Sequence, residues 1–200
     1  MTERSQTKDR ILQVGAEIVH RRGFNNTGIQ EILRGAEVPK GSFYFYFRSK
    51  SDFGLQLIDY YQIRLIRLLE RHLARKDLPP LERLLRYFRE LRGGFESEAC
   101  RGGCPVGNMA QEMGDLDEAF RQRLEHAFRA LREGIRRALE QAADRGELDA
   151  ERDTSGLADF ILSTWQGAIL QMKVDKSTAP LKRFEAIVFG ELLPAKDSEV

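Results

Sequence analysis

Between Thr27 and Lys50 the apolar residues fall at spacings that suit two short helices joined by a tight turn. Ile29, Ile32 and Leu33 repeat at helical spacing. Thr27 stands where its hydroxyl would cap the first N–H groups of that helix. Gly35 to Val38 interrupts the pattern, as the turn of a helix-turn-helix does. Pro39 is expected in the first turn of a second short helix, where the N–H that proline lacks has no partner to lose.

In that second helix Phe43 and Phe47 lie one turn apart and face the same way as Val38, which makes them the core side. Lys40, Gly41 and Tyr44 fall on another face. A cation, a phenol and a residue without a side chain suit close approach to a phosphate-lined groove. Ser49 opens a further helix, with Asp52 in capping-box position. Lys50 falls in its first turn, where free N–H groups already attract anions.

Charge distribution agrees with this reading. The net charge of the 200 residues is only +1. Residues 1–50, however, carry nine Lys and Arg against five Asp and Glu, while the rest carries 23 against 26. A basic head on a mildly acidic body fits a DNA-binding module attached to something else. No apolar run has the length of a signal peptide or a membrane span, so a cytoplasmic protein is expected. In a reducing cytosol Cys100 and Cys104 would stay free thiols. His20, His72 and His126 have no metal-ligand spacing with one another or with the cysteines. No phosphate-binding loop, dinucleotide fingerprint or hydrolase motif occurs. No cofactor, metal or enzymatic activity is therefore expected.

The remaining pattern is helical throughout. A helix is expected over 8–22, and a long one from Ser49 to about Arg75 that connects head and body. Others follow over 81–95, with Gly93 and Gly94 weakening the end, and over 105–113. A further long helix is expected from an Asp115 cap to about Arg145. The last two cover 154–174 and run from Pro180 to about Leu192, and the tail after Pro194 should fray. The expected fold is all-α: residues 1–50 a three-helix DNA-binding domain, residues 51–200 a helical ligand-binding and dimerisation domain. Wide apolar stripes on the last two helices suggest a homodimer through a four-helix bundle, unless they bury within one chain.

The residues Arg10-Ile11-Leu12, Gly23-Phe24, Thr27, Ile32, Ala36, Val38 and the run from Gly41 to Lys50 together resemble the DNA-binding domain of the TetR family of bacterial regulators. The family often has Gly where Glu37 stands. The resemblance implies a repressor that binds double-stranded operator DNA through Thr27, Gln30, Lys40, Gly41, Ser42, Tyr44, Tyr46 and Lys50. It makes Gln30 and Lys40 base readers, and the tyrosines and Lys50 phosphate contacts. A transcriptional activator or global regulator would use the same scaffold.

One further position carries chemistry. Cys104 follows two glycines and precedes Pro105 at the start of a helix, where N–H groups favour a thiolate. Equally, free cysteine is among the most buried residue types. A narrower resemblance bears on the choice. Gly103 to Met113, with Trp165-Gln166-Gly167-Ala168, is similar to the branch containing the acrylate-utilisation regulator and the N-ethylmaleimide-reductase repressor. It implies that Cys104 senses redox change or electrophiles, and that the small-molecule inducer is an electrophilic alkene. Asn108, one turn on, and Trp165 are further candidates for the ligand site. A cysteine-dependent enzyme would need a base, and no histidine shares the local segment with Cys104.

Overall fold

The computed structural model describes residues 3–194, and every regular element among them is helical, as expected. The elements are α1 (Glu3–Arg22), α2 (Ile29–Gly35), a 3-10 turn (Lys40–Ser42) that continues into α3 (Phe43–Tyr46), and α4 (Lys50–Leu73). Then come α5 (Pro80–Ser97), α6 (Pro105–Met113), α7 (Glu118–Asp144), α8 (Thr154–Asp175) and α9 (Ala179–Ile187), which ends in a π-helical turn (Val188–Leu192). The tail expected to fray lies outside the described residues. The helices pack as two compact units, residues 1–63 with 104–128 and residues 64–103 with 129–200. Helices α4 and α7 each begin in the first unit and end in the second, whereas α6 belongs wholly to the first.

In the first unit α3 has only four residues, too few to be stable alone. Its place is fixed by three fully buried rings. Phe43 lies 5.1 Å from Phe47, and both pack on Phe53 of α4, at 5.9 and 5.1 Å between centroids. Ala16 of α1 accepts a 2.7 Å hydrogen bond from the Tyr61 hydroxyl, which ties α4 to α1. Gly54 lets α4 approach a second ring pair. A Cβ there would sit 2.6 Å from ring atoms of both Phe24 and Phe120.

Several helix ends differ from the sequence reading. Gly28, not Thr27, is the N-cap of α2 and offers no side-chain bond. Thr27 is instead buried, 1% exposed, and donates its hydroxyl to the Gly23 carbonyl at 2.7 Å. Pro39 precedes the 3-10 turn rather than lying inside it. Asp117, not Asp115, caps α7 by accepting from the N–H groups of Ala119 and Phe120. The Ser49–Asp52 pair does form at the start of α4: Asp52 N–H donates to Ser49 Oγ at 3.0 Å. The Asp52 carboxylate reaches one residue further back than a standard box, to Arg48 N–H at 2.8 Å. Glu37 occupies the left-handed region, with φ of 54°, a position that favours glycine.

The second unit is built on an aromatic cluster. Phe88, Trp165 and Phe184 lie 4.8–5.1 Å apart between centroids. Phe95 adds its ring to Trp165 at 6.4 Å. That packing lies beyond Gly93 and Gly94, and α5 runs through both glycines to Ser97. Arg83, also buried, donates to the carbonyls of Leu78 and Leu73 and so closes the C-terminal end of α4 onto α5. Helix α8 is apolar on two sides. Ile161, Trp165, Ala168 and Met172 face inward, while Phe160, Leu170 and Val174 are exposed.

The close approach at Gly54 gives a test of the first unit. Gly54→Ala should lower the unfolding free energy by about 1–3 kcal/mol, the usual cost of overpacking a filled core. Gly41→Ala, with nothing within 4 Å of the added Cβ, should leave stability nearly unchanged. Urea denaturation of the two variants measures both. Equal midpoints would show that the two rings move aside freely.

Candidate functional site

Two features of the first unit bear on function: an exposed polar and aromatic face around α2 and α3, and helix α6 with its cysteine cap. On the first, Gln30 is exposed in the opening turn of α2, and Lys40 and Gly41 are exposed on the 3-10 turn. With Phe43 and Phe47 turned into the core, Tyr44 and Phe45 point outward, 67% and 60% exposed. Tyr46 is half-buried and packs edge-on against Phe45 at 5.2 Å. Ser42 is half-buried as well. Gln30, Lys40, Gly41 and Tyr44 thus present themselves to solvent from two short helices braced by one core. Thr27 does not: its side chain is spent inside, holding the loop that leads into α2.

Lys50 is more engaged than its place in a first turn suggests. Its ammonium donates to the Asn25 carbonyl at 3.2 Å and lies 4.9 Å from the centroid of the Phe24 ring. Burial pulls its pKa below the ordinary lysine value, and the charge of Glu112 acts in the opposite direction.

Helix α6 begins at Cys104, which is its N-cap. The Gly107 N–H points at the cysteine sulfur, 3.4 Å away. That places the sulfur on the positive end of a helix, the geometry that stabilises a thiolate. The side chain is also buried, 7% exposed, and the chain enters it through Gly102 and Gly103, both at positive φ. Both cysteines are free thiols. Asn108 is half-buried on the same helix, in the first unit. Trp165 lies in the second unit, 3% exposed within the aromatic cluster.

The opposite end of α6 holds a contact that no local sequence signal announces. The Glu112 carboxylate accepts from the backbone N–H groups of Phe24 at 3.1 Å and Asn25 at 3.0 Å, in the loop between α1 and α2. Partners separated by nearly ninety residues leave no periodicity to read. Gly23, with φ of 86°, was legible as a helix stop, but not as the residue whose missing Cβ admits this carboxylate.

Among the described residues no cluster of His, Cys, Asp and Glu could hold a metal ion, and no helix is long and apolar enough to cross a membrane.

Comparison with known proteins agrees with this architecture. Residues 11–56 match the family described as bacterial regulatory proteins, tetR family, and residues 80–188 match the tetracyclin repressor-like C-terminal domain. The transcriptional regulator AcuR of Cereibacter sphaeroides is 38% identical over 174 residues, 87% of this chain and 80% of that protein. The transcriptional repressor DhaR of Mycobacterium sp. strain GP1 is 31% identical over 195 residues, 98% of this chain and 96% of its own. The crystal structure of the reduced form of NemR from Escherichia coli superposes with a TM-score of 0.87 at 29% identity, covering 96% of this chain and 99% of that one. The helix-turn-helix head, the helical body and these full-length similarities place the chain in the TetR family of transcriptional regulators.

Proposed function

We propose that this protein is a dimeric, ligand-responsive transcriptional repressor whose operator binding is relieved by an electrophilic alkene at Cys104. The observation that carries this reading is the place of Cys104. It caps α6, and α6 packs in the same compact unit as the helix-turn-helix. In the division of labour we infer, residues 1–50 read DNA and residues 51–200 sense the ligand and dimerise. The family matches over 11–56 and 80–188 support that division.

On the head, Gln30 and Lys40 are the base-reading candidates. Ser42, Tyr44, Tyr46 and Lys50 meet phosphate, and Gly41 permits close approach of the backbone. Thr27 supports the set from inside. Exposure of Gln30, Lys40, Gly41 and Tyr44 supports this assignment. Dimerisation uses α8 and α9. Their outward side has a groove of about 300 Å³ lined by Phe160, Thr164, Gln171, Arg183 and Ile187, with Leu170 and Val174 exposed on α8. Apolar side chains in such number mark a surface that another helix covers.

At the sensor, the cysteine thiolate adds to the β-carbon of the alkene. An S–C bond forms, the π pair moves to the α-carbon, and a solvent proton completes the adduct with no leaving group. Because the sulfur is buried, an adduct there demands that packing around the start of α6 change. Taking the dimer from mostly binding-competent to mostly incompetent requires about 5 kcal/mol of differential stabilisation. The repressors DhaR and NemR, 31% and 30% identical over 98% and 88% of this chain, support the repressor class. Asn108, one turn along the same helix, is a further contact for the bound molecule in this reading.

Two outcomes follow. A palindromic duplex with half-site centres about 34–36 Å apart, or a multiple of that, should bind far better than random duplex, with affinity falling steeply as salt rises. Lack of preference for the palindrome in a gel shift would contradict the dimeric reading. In fluorescence anisotropy, N-ethylmaleimide should release wild type and Cys100→Ser alike from this duplex. Cys104→Ser should bind DNA normally and stay bound. Full release of Cys104→Ser at the wild-type dose would leave the thiol without a sensing role.

A further inference from the structure

Helix α6 joins the two features described above, and its nine residues span about 13 Å at 1.5 Å per residue. At its start stands Cys104, and one residue from its end stands Glu112. The Glu112 carboxylate holds the N–H groups of Phe24 and Asn25, and Lys50 holds the Asn25 carbonyl from α4. Two residues of the α1–α2 loop are therefore gripped, on the amide side by α6 and on the carbonyl side by the first residue of α4. The fit leaves no slack at Gly23, where a Cβ would stand 2.8 Å from Glu112 Oε1. The gripped loop leads through Thr27 to Gly28, the N-cap of α2. The Phe24 ring beside it is wedged between the Lys50 ammonium at 4.9 Å and Phe120 of α7 at 5.3 Å.

We propose that Glu112 is a positioning residue for DNA binding: its carboxylate clasps the α1–α2 loop and so couples the position of α6 to that of α2 and Lys50. No residue of the clasp is required to touch DNA through Glu112 itself. Its work is to fix where the loop, the start of α2 and the Lys50 ammonium stand. Two backbone donors on one carboxylate define position more sharply than a single bond, because both lengthen together when the helix shifts. Glu112 also adds negative charge near Lys50, which favours its charged form against the burial that opposes it. When α6 is displaced, the loop loses both acceptors at once and the ammonium loses the carbonyl that holds it. The proposal rests on the reading of Cys104 as sensor only for what displaces α6. The clasp as a determinant of DNA binding stands apart from it.

By reciprocity, if alkylation of Cys104 weakens operator binding, bound operator disfavours the alkylated state; because the buried thiol is reached only when α6 moves, its alkylation slows as well. The full-length protein is tested in a Cys100→Ser background with a palindromic duplex selected from a random library. Glu112→Gln keeps the shape but offers one acceptor oxygen where two are used. It should weaken binding at least tenfold with the thermal midpoint within a few degrees of wild type. N-ethylmaleimide should alkylate Cys104 several-fold more slowly with saturating duplex in the parent protein, and at the same rate with or without duplex in Glu112→Gln. Undiminished affinity in Glu112→Gln, or, where duplex slows alkylation of the parent, an equal slowing in Glu112→Gln, overturns the clasp. If duplex leaves alkylation of the parent unchanged while Glu112→Gln still binds weakly, the clasp stands and the sensor reading falls. Should Glu112→Gln fail to fold, Gly23→Ala displaces the carboxylate from the other side, and the same two measurements decide.

Discussion

Packing of the Phe43 and Phe47 rings against Phe53 is the interaction on which the proposed DNA-binding face depends. Four residues of helix cannot hold a geometry by backbone hydrogen bonds alone. Burying Phe43 of α3 and Phe47 just after it against the first turn of α4 makes this short segment a fixed presenter of Tyr44 and, through the adjoining 3-10 turn, of Lys40 and Gly41. The same packing makes the placement of α3 depend on that of α4.

What reaches that surface from the rest of the chain comes through a small number of fixed contacts. Helix α4 is tied to α1 by Tyr61, and the loop between α1 and α2 is held by Glu112 and Lys50. Helix α6 thus belongs with the reading head in packing, although more than fifty residues separate it from the recognition helix in sequence. The sequence pattern marks the long helix α4 as the element that connects head and body. In the folded chain, α6 makes direct bonds to the head as well. In the proposed mechanism a change at Cys104 has only the length of one short helix to travel before it meets the loop that leads into α2.

Much of the fold was legible because it is written in local pattern. The bounds of α6 follow from Pro105 and Gly114, and the start of α4 from Ser49 and Asp52. The inward side of α3 follows from two phenylalanines one turn apart. The misreadings have physical causes. Thr27 has the chemistry of a cap, but burial turned its hydroxyl back to Gly23. Asp115 and Asp117 have equal local claims on the start of α7, and only the folded chain shows which carboxylate meets the free N–H groups. Phe160 lies on the apolar pattern of α8 yet is exposed, since the helix is apolar on two sides and one chain can cover only one of them. The candidate site divides in the same way. Exposed residues such as Lys40 and Tyr44 follow from helical phase alone, whereas Glu112 and the engagement of Lys50 arise from contacts between distant segments.

Hydrogen exchange at the Phe24 and Asn25 amides reads directly whether a change at Cys104 reaches the α1–α2 loop. With Glu112 as their acceptor, both amides should exchange slowly in the reduced protein. Alkylation of Cys104 with N-ethylmaleimide should speed their exchange by at least an order of magnitude, while the Tyr61-bound segment around Ala16 keeps its protection. Unchanged protection at Phe24 and Asn25 in protein fully alkylated at Cys104 would contradict the account.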